Sequence, residues 1–153
     1  MSTPEERMRE LGIELPEVVA PVASYVPAVR TGSLVYTAGQ IPLVKGELGV
    51  TGKVGAEVDP EEATRQARIC ALNAVAALKA EVGELSRVVR IVKVVGFVAS
   101  APDFHGQPAV VNGASDLLVE VFGDAGRHAR SAVGVAVLPR DVPVEVELIA
   151  EIS

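Results

Sequence analysis

Two stretches near the end of the chain alternate large apolar residues with small or polar ones, which is the pattern of β-strands. They cover residues 130–139 and 144–147, and a proline-bounded polar turn at 140–143 separates them. Because side chains alternate faces along a strand, Arg130 shares its face with small residues only: Ala132, Gly134 and Ala136. The small face leaves room for a ligand beside the guanidinium group.

The second of these strands carries Glu145 and Glu147 on one face. A carboxylate could therefore lie near the space beside Arg130. The alternative is that Arg130 is a surface charge at a strand end and the glutamates form a solvated edge. Spacing alone favours this alternative, because charged residues are mostly solvent-exposed.

Small and apolar residues recur at helical spacing in two longer stretches. The first opens with Asp59, Pro60 and Glu62, which is the pattern of an N-cap, a first-turn proline and a capping-box glutamate. It ends near Gly83. The second covers about residues 109–122 and ends at Gly123. A short helix with the same opening pattern follows Thr3 and ends near Gly12.

The remaining patterns complete a mixed domain. Residues 22–38 predict a hairpin around Gly32, residues 88–99 a strand, and residues 44–58, with four glycines, a loop. Pro16, Pro21 and Pro27 break any long strand within residues 15–29. The predicted order is β-β-α-β-α-β-β, an α+β fold whose two long helices cover one face of a mixed sheet. Residues 1–16 form an N-terminal extension and residues 17–153 a single domain.

The strands at 88–99 and 131–138 are apolar or small on both faces, although the predicted helices cover only one. An exposed apolar patch of that size is unusual on a monomer. The pattern therefore favours a homo-oligomer, in which another copy covers the second face, over a monomer.

Composition excludes several classes of protein. The net charge is -6 and aromatic residues make up 3% of the chain, which is unfavourable for binding a nucleic-acid backbone or stacking on bases. No apolar run is long enough for a membrane span, and the first residues lack a signal-peptide core. The single cysteine, Cys70, fits a reducing compartment, so we expect a cytoplasmic protein in which Cys70 is a small buried side chain.

No cofactor or metal site is expected from the sequence. His105 and His128 lack cysteine or acidic neighbours at the spacing of metal ligands. The glycines of residues 46–55 do not form a phosphate-binding loop, and no nucleophile motif surrounds Ser24, Ser115 or Ser131.

Three segments, taken in order, resemble one known family. They are residues 24–29 (SYVPAV), residues 36–42 (YTAGQIP), and residues 130–147, with Arg-Ser at the start, Leu-Pro at 138–139 and Val-Glu-Val-Glu at the end. Together with the Val111-Asn112 pair in the second helix, they are similar to the Rid family, also called YjgF or endoribonuclease L-PSP proteins. The resemblance covers about residues 20–152, and the last segment is the most specific.

The resemblance implies a chorismate-mutase-like α+β fold, a homotrimer, and clefts between its subunits. It also implies an activity. The better-known members are deaminases that hydrolyse 2-imino acids, released by pyridoxal-phosphate enzymes, to 2-keto acids and ammonia. The implied ligand is thus a small imino or keto acid.

The resemblance assigns roles to residues of this chain. Arg130 matches the arginine that binds the substrate carboxylate, which suits a planar guanidinium group. Gly39 matches the glycine whose backbone N–H helps to hold that carboxylate, and Tyr25 a tyrosine lining the cleft. Glu145 matches the glutamate that positions and deprotonates a water. Asn112 matches an asparagine near the site, although a solvated helix residue is an equal explanation of it.

Two positions depart from the family pattern. Ala132 stands where many members have cysteine, and Ala38 where many have serine. Both changes remove polar or polarisable groups, although the Ala132 carbonyl can still accept a hydrogen bond. Three functions are therefore compared: an imine deaminase, a non-catalytic binder or sensor of small carboxylates that uses the same cleft, and a ribonuclease. The acidic charge argues against the ribonuclease.

Overall fold

The computed structural model describes residues 2–18 and 21–153. Met1, in the predicted extension, and Val19 and Ala20, in the predicted irregular segment, lie outside the described residues. A five-stranded mixed sheet has the strand order β1-β2-β7-β5-β6. Its strands are β1 (Ala28–Thr31), β2 (Leu34–Thr37), β5 (Val88–Ala99), β6 (Ala129–Val135) and β7 (Val144–Ile152), and a separate hairpin joins β3 (Leu43–Val44) to β4 (Glu47–Leu48).

The described residues also form three α-helices: α1 (Pro4–Leu11), α2 (Pro60–Val82) and α3 (Gln107–Phe122). The local signals placed the starts of α1 and α2 correctly, whereas α3, which has no side-chain cap, begins two residues before the predicted start. The Thr3 hydroxyl accepts from the Glu6 amide at 3.1 Å, and the Asp59 carboxylate accepts from the Glu62 amide at 2.8 Å. These side chains satisfy amide groups that the first turn of a helix leaves without a partner.

The long helices α2 and α3 pack side by side on one face of the sheet, as predicted. Small residues allow the close approach: Ala67, Ala71 and Ala74 of α2 are fully buried. Where the helices meet, a Cβ at Gly113 would collide with the backbone carbonyl of Thr64. The core lies between this helical layer and the inward residues of the central strands, which include Val94, Val98, Val146 and Leu148.

The opposite face of the sheet, called here the open face, carries no helix formed by the described residues. Its apolar residues include Val29, Tyr36 and Val133, which are 52%, 43% and 42% exposed. Phe97 and Ile149 lie between them and are partly exposed. The single chain therefore leaves apolar surface uncovered on the face for which the sequence predicted a second copy.

The N-terminal helix α1 is docked on the domain. Met8 is buried, and the Glu5 carboxylate accepts hydrogen bonds from Lys79 Nζ at 2.9 Å and from the Leu85 amide at 2.8 Å. Burial alone would raise the pKa of the Glu5 carboxyl, but these two hydrogen bonds outweigh it and the pKa is lowered. The segment predicted as an extension thus ties together the end of α2 and the turn that follows it.

Two sequence-based predictions need correction. The predicted hairpin at 22–38 is confined to β1 and β2, and the predicted loop at 44–58 begins with the β3–β4 hairpin. The sequence left open which strands pair, and the two strands at the end of the chain are not neighbours. Strand β5 lies between β6 and β7 and pairs parallel with β6 and antiparallel with β7. The short turn at 139–141 connects them around the end of β5, because strands adjacent in sequence need not pair in the sheet.

The part of the chain that the structure describes has no helix that is both long enough and apolar enough to cross a membrane.

Candidate functional site

Arg130 lies on the edge strand β6, with its side chain directed toward α3. Register places Arg130, Ala132 and Gly134 opposite Val94, Gly96 and Val98, all on the helix-covered face. The guanidinium Nη1 donates to Asn112 Oδ1 at 2.7 Å and to Ser115 Oγ at 3.2 Å. The small-residue face beside Arg130 is thus bordered by α3, and it is not an empty surface.

Arg130 Nη1 donates its two hydrogens to these two acceptors. In the described residues, neither Nη2 nor Nε of Arg130 has a hydrogen-bond acceptor, and the guanidinium forms no ion pair. The Nε–Nη2 edge of a guanidinium is a planar fork that matches both oxygens of a carboxylate. Arg130 is therefore held on one side and available for an anionic ligand on the other.

Glu145 lies on the open face of the sheet, near the start of β7. Its side chain packs against Gly39, and a Cβ at Gly39 would collide with Glu145 Oε2. A hydrogen-bonded bridge between Gln40 and Val146 fixes this approach, with the Gln40 amide donating to the Val146 carbonyl at 2.8 Å. The glycine at position 39 is therefore required to make room for the carboxylate.

The surroundings of Glu145 disfavour its charge. Partial burial raises the pKa of the Glu145 carboxyl, and the neighbouring Glu147 carboxylate raises it further. No cationic side chain of the described residues lies within ion-pair distance of it. A carboxylate in such a position is a stronger base than one exposed to water.

Within a single chain, Glu145 does not lie in the space beside Arg130. Register pairs Arg130 with Val94 and Val94 with Leu148, so Arg130 is level with Leu148 and not with Glu145. The two side chains lie on opposite faces of the sheet and two strand spacings apart, or roughly 10 Å across the strands. The sequence left this placement open, because alternation fixes the face within each strand but says nothing about which strands are neighbours.

Tyr25 lies on the same side of the sheet as Glu145. It lines an open depression of about 420 Å³ together with Ser24, Val26, Val29, Tyr36, Thr37 and Ala38. Tyr25 and Tyr36 are 59% and 43% exposed, so their rings are available for contact. The Ala38 backbone is held in place by its amide, which donates to the Pro27 carbonyl at 2.8 Å. Of the predicted site residues, Tyr25, Ala38, Gly39 and Glu145 make up one candidate half-site, and Arg130, Ala132 and Asn112 make up the other.

The family model described as "YjgF/chorismate_mutase-like, putative endoribonuclease" matches residues 5–152. The chain belongs to the YjgF family. The chorismate-mutase-like α+β fold predicted from the sequence is thereby confirmed, with two long helices on one face of a mixed sheet.

Three relatives illustrate the range of this family. Protein TCP17 of Trypanosoma cruzi is 45% identical over 95% of this chain and 92% of its own length. The solved structure of Atu1372 from Agrobacterium tumefaciens, a protein of unknown function, has a TM-score of 0.91 at 47% identity and covers 98% of this chain and 92% of that one. TdcF of Escherichia coli, solved with bound serine, has a TM-score of 0.61 at 32% identity and covers 91% of this chain and 94% of its own.

Within this YjgF fold, Cys70 is a core residue, as its place in the helical pattern predicted. It is fully buried, and its Sγ donates to the Val144 carbonyl at 3.5 Å. Burial raises the pKa of the Cys70 thiol well above its ordinary value, and the Glu145 carboxylate adds to the effect. A thiol that remains protonated is a poor nucleophile.

Sequence reasoning missed two residues beside Arg130. Ser115 Oγ lies 2.9 Å from His128 Nε2, and His128 Nδ1 lies 2.6 Å from the Gly126 carbonyl oxygen. No motif links Ser115 with His128, because they come from different elements. Two local signals were nevertheless present: Ser115 is one helical turn after Asn112, and His128 is two residues before Arg130.

Proposed function

We propose that this protein hydrolyses reactive 2-imino acids to 2-keto acids and ammonia, in clefts between the subunits of a homotrimer. The observation that carries the proposal is the Arg130 guanidinium, which is anchored through Nη1 and presents an unused Nε–Nη2 edge. This group suits the carboxylate that every 2-imino acid carries. Binding by two charge-assisted hydrogen bonds would fix the position of the adjacent imine carbon.

Glu145 supplies the acid–base chemistry in this proposal. Its carboxylate removes a proton from a water molecule, whose oxygen bonds to the imine carbon while the imine nitrogen takes up a proton. In the resulting carbinolamine, the hydroxyl proton moves by way of the Glu145 carboxylate to the amine nitrogen. The C–N bond then breaks, ammonia leaves and the keto group forms. A half-buried carboxylate whose pKa is raised is suited to this proton transfer.

A complete cleft requires two copies of the chain, because one copy holds Arg130 and Glu145 on opposite faces of its sheet. The uncovered apolar residues of the open face give a reason for association, since their burial against another copy removes them from water. In the proposed trimer, the Arg130 half-site of one subunit meets the Glu145 half-site of its neighbour.

The bound serine of TdcF supports a small ligand with a carboxylate group, since serine is an amino acid. The same observation also favours a second candidate function, which is the binding or sensing of small carboxylates without turnover. Ala132 and Ala38, at positions where many members carry cysteine and serine, bear on this alternative because they make the cleft less polar. A ribonuclease is disfavoured by the net charge of -6.

A coupled assay separates turnover from binding. An amino-acid oxidase or a dehydratase generates 2-iminobutanoate in the presence of semicarbazide, which traps the imine that escapes hydrolysis. We expect the protein to lower semicarbazone formation in proportion to its concentration, and Glu145→Gln to abolish this effect. Binding of 2-oxobutanoate without any decrease in semicarbazone formation would establish the non-catalytic binder instead.

The oligomer is a separate prediction. We expect a particle of three copies, each of 15.9 kDa, in light scattering at micromolar concentration, because the open face of one chain exposes apolar surface. Replacing Val133 by Lys places a charge among the apolar residues of that face, on the edge strand β6, and should produce smaller species. Val119→Lys, on the exposed side of α3, is the matched control and should leave the particle unchanged. A monomeric wild-type protein would contradict the prediction.

A further inference from the structure

Four side chains and one backbone carbonyl form a continuous hydrogen-bonded chain that ends at Arg130. It runs from the Gly126 carbonyl to His128, then to Ser115 and to Arg130, while Asn112 binds the same guanidinium nitrogen. The proposed function uses Ser115 only as an acceptor for Arg130 Nη1, and it gives no role to His128.

The direction of every hydrogen bond in this network follows from the Gly126 carbonyl, which is the acceptor at its far end. The Gly126 carbonyl can only accept, so His128 Nδ1 carries the hydrogen, and Nε2 of the neutral ring is then an acceptor. The Ser115 hydroxyl therefore donates to His128 Nε2 over 2.9 Å. With its hydrogen committed, the Ser115 oxygen presents lone pairs to Arg130 Nη1 at 3.2 Å.

The Gly126 carbonyl, where this hydrogen-bonded network begins, is held by tight packing. Gly126 is buried in a 3-10 turn at Gly123–Gly126, directly after α3. A Cβ at Gly126 would collide with the Leu118 carbonyl, so the turn lies tightly against the helix that also carries Ser115. His128, Ser115 and Arg130 are all partly buried, which strengthens hydrogen bonds relative to those in water.

We propose that His128 and Ser115 are positioning residues that fix the guanidinium plane of Arg130, so that its Nε–Nη2 edge faces the ligand carboxylate. Asn112 and Ser115 together occupy both hydrogens of Nη1, which stops rotation about the Nε–Cζ bond. His128 fixes which way the Ser115 hydroxyl points, and so keeps its lone pairs on Arg130. The inference rests on the proposed function in that the ligand is a carboxylate.

The first test measures the position of the guanidinium without any ligand. In a ¹⁵N–¹H spectrum of the arginine side chains, a clamped Arg130 gives separate Nη1 and Nη2 signals, which Arg130→Lys assigns by their disappearance. We expect Ser115→Ala to merge these signals through rotation about Nε–Cζ. Ser131→Ala is the matched control, because Ser131 lies on the opposite face of the same strand and bonds to Lys93. Separate signals retained in Ser115→Ala would overturn the inference.

The second test asks whether Ser115 acts through Arg130. We expect Ser115→Ala to weaken 2-oxobutanoate binding roughly tenfold, which is the effect of misplacing one hydrogen bond to a charged group. In an Arg130→Lys background the same substitution should have almost no further effect. A full tenfold loss in both backgrounds would show that Ser115 contacts the ligand or supports the fold, and would overturn the positioning role.

Two variants of His128 separate its two hydrogen bonds. His128→Gln retains an acceptor at the Nε2 position and should keep most of the affinity. His128→Asn retains only the donor toward Gly126 and should resemble Ser115→Ala. If His128→Asn kept more affinity than His128→Gln, the proposed directions of these hydrogen bonds would be overturned. If the wild type binds no keto acid, the proposed function fails, whereas the guanidinium signals still support or overturn the positioning role.

Discussion

Arg130→Ala is expected to weaken the binding of 2-oxobutanoate by about 2–3 kcal/mol, or roughly 30- to 150-fold, because both charge-assisted hydrogen bonds to the carboxylate are lost. Arg130→Lys keeps the charge but loses the planar fork and the hold that Asn112 and Ser115 exert on Nη1. Its loss should be smaller, on the order of tenfold. Calorimetric titration of the wild type and both variants measures these differences.

Arg127→Ala is the matched control for this experiment, since Arg127 is an exposed arginine three residues earlier in the chain. It should bind 2-oxobutanoate as the wild type does. Sizing of every variant belongs to the same experiment. Equal affinity in all variants would make Arg130 a surface charge. A change of oligomeric state confined to the Arg130 variants would give the residue an interface role and leave the carboxylate site unassigned.

Glu145→Gln is expected to lower kcat for imine hydrolysis by roughly 10²- to 10⁴-fold with little change in KM, since the amide fills the same space but cannot accept the proton from water. Glu147→Gln is the matched control, because Glu147 lies two residues further along the same face of β7. It should retain most of the activity. Unchanged kcat in Glu145→Gln would remove this residue from the mechanism.

The raised pKa of Glu145 predicts two pH effects of known sign. Activity that needs the carboxylate should fall as the pH drops through the raised pKa. The free energy of unfolding should change in the opposite direction, so the contribution of Glu145 to stability is greatest at low pH. A group whose pKa is higher in the folded state binds protons more tightly there, so the free energy of unfolding decreases as the pH rises from the unfolded to the folded value. At neutral pH, Glu145→Gln should therefore raise the melting temperature while it removes activity, and a lower melting temperature would contradict this.

Much of the architecture could be predicted because its causes are local in the chain. The caps Thr3 and Asp59 act on amides three residues away, and prolines in the first helical turn do not disturb the hydrogen bonds that follow. Both ends of the strand at 88–99 were predicted correctly, because a run rich in valine and isoleucine between two turn signals strongly favours a strand. The lack of a polar face on this strand also carried the prediction of a second copy, which stays a prediction.

The position of each half-site within the sheet could not be predicted in this way. The sequence determined that Arg130 has small neighbours on its own face, that Glu145 shares a face of its strand with Glu147, and that Gly39 follows a strand. Only the tertiary structure decided that β5 lies between β6 and β7, that Arg130 meets Asn112 and Ser115 of α3, and that Glu145 packs on Gly39 across the other face. The physical reason is that alternation along a strand and spacing along a helix orient side chains within one element, whereas the order of strands and the packing of helices depend on contacts between residues far apart in the chain.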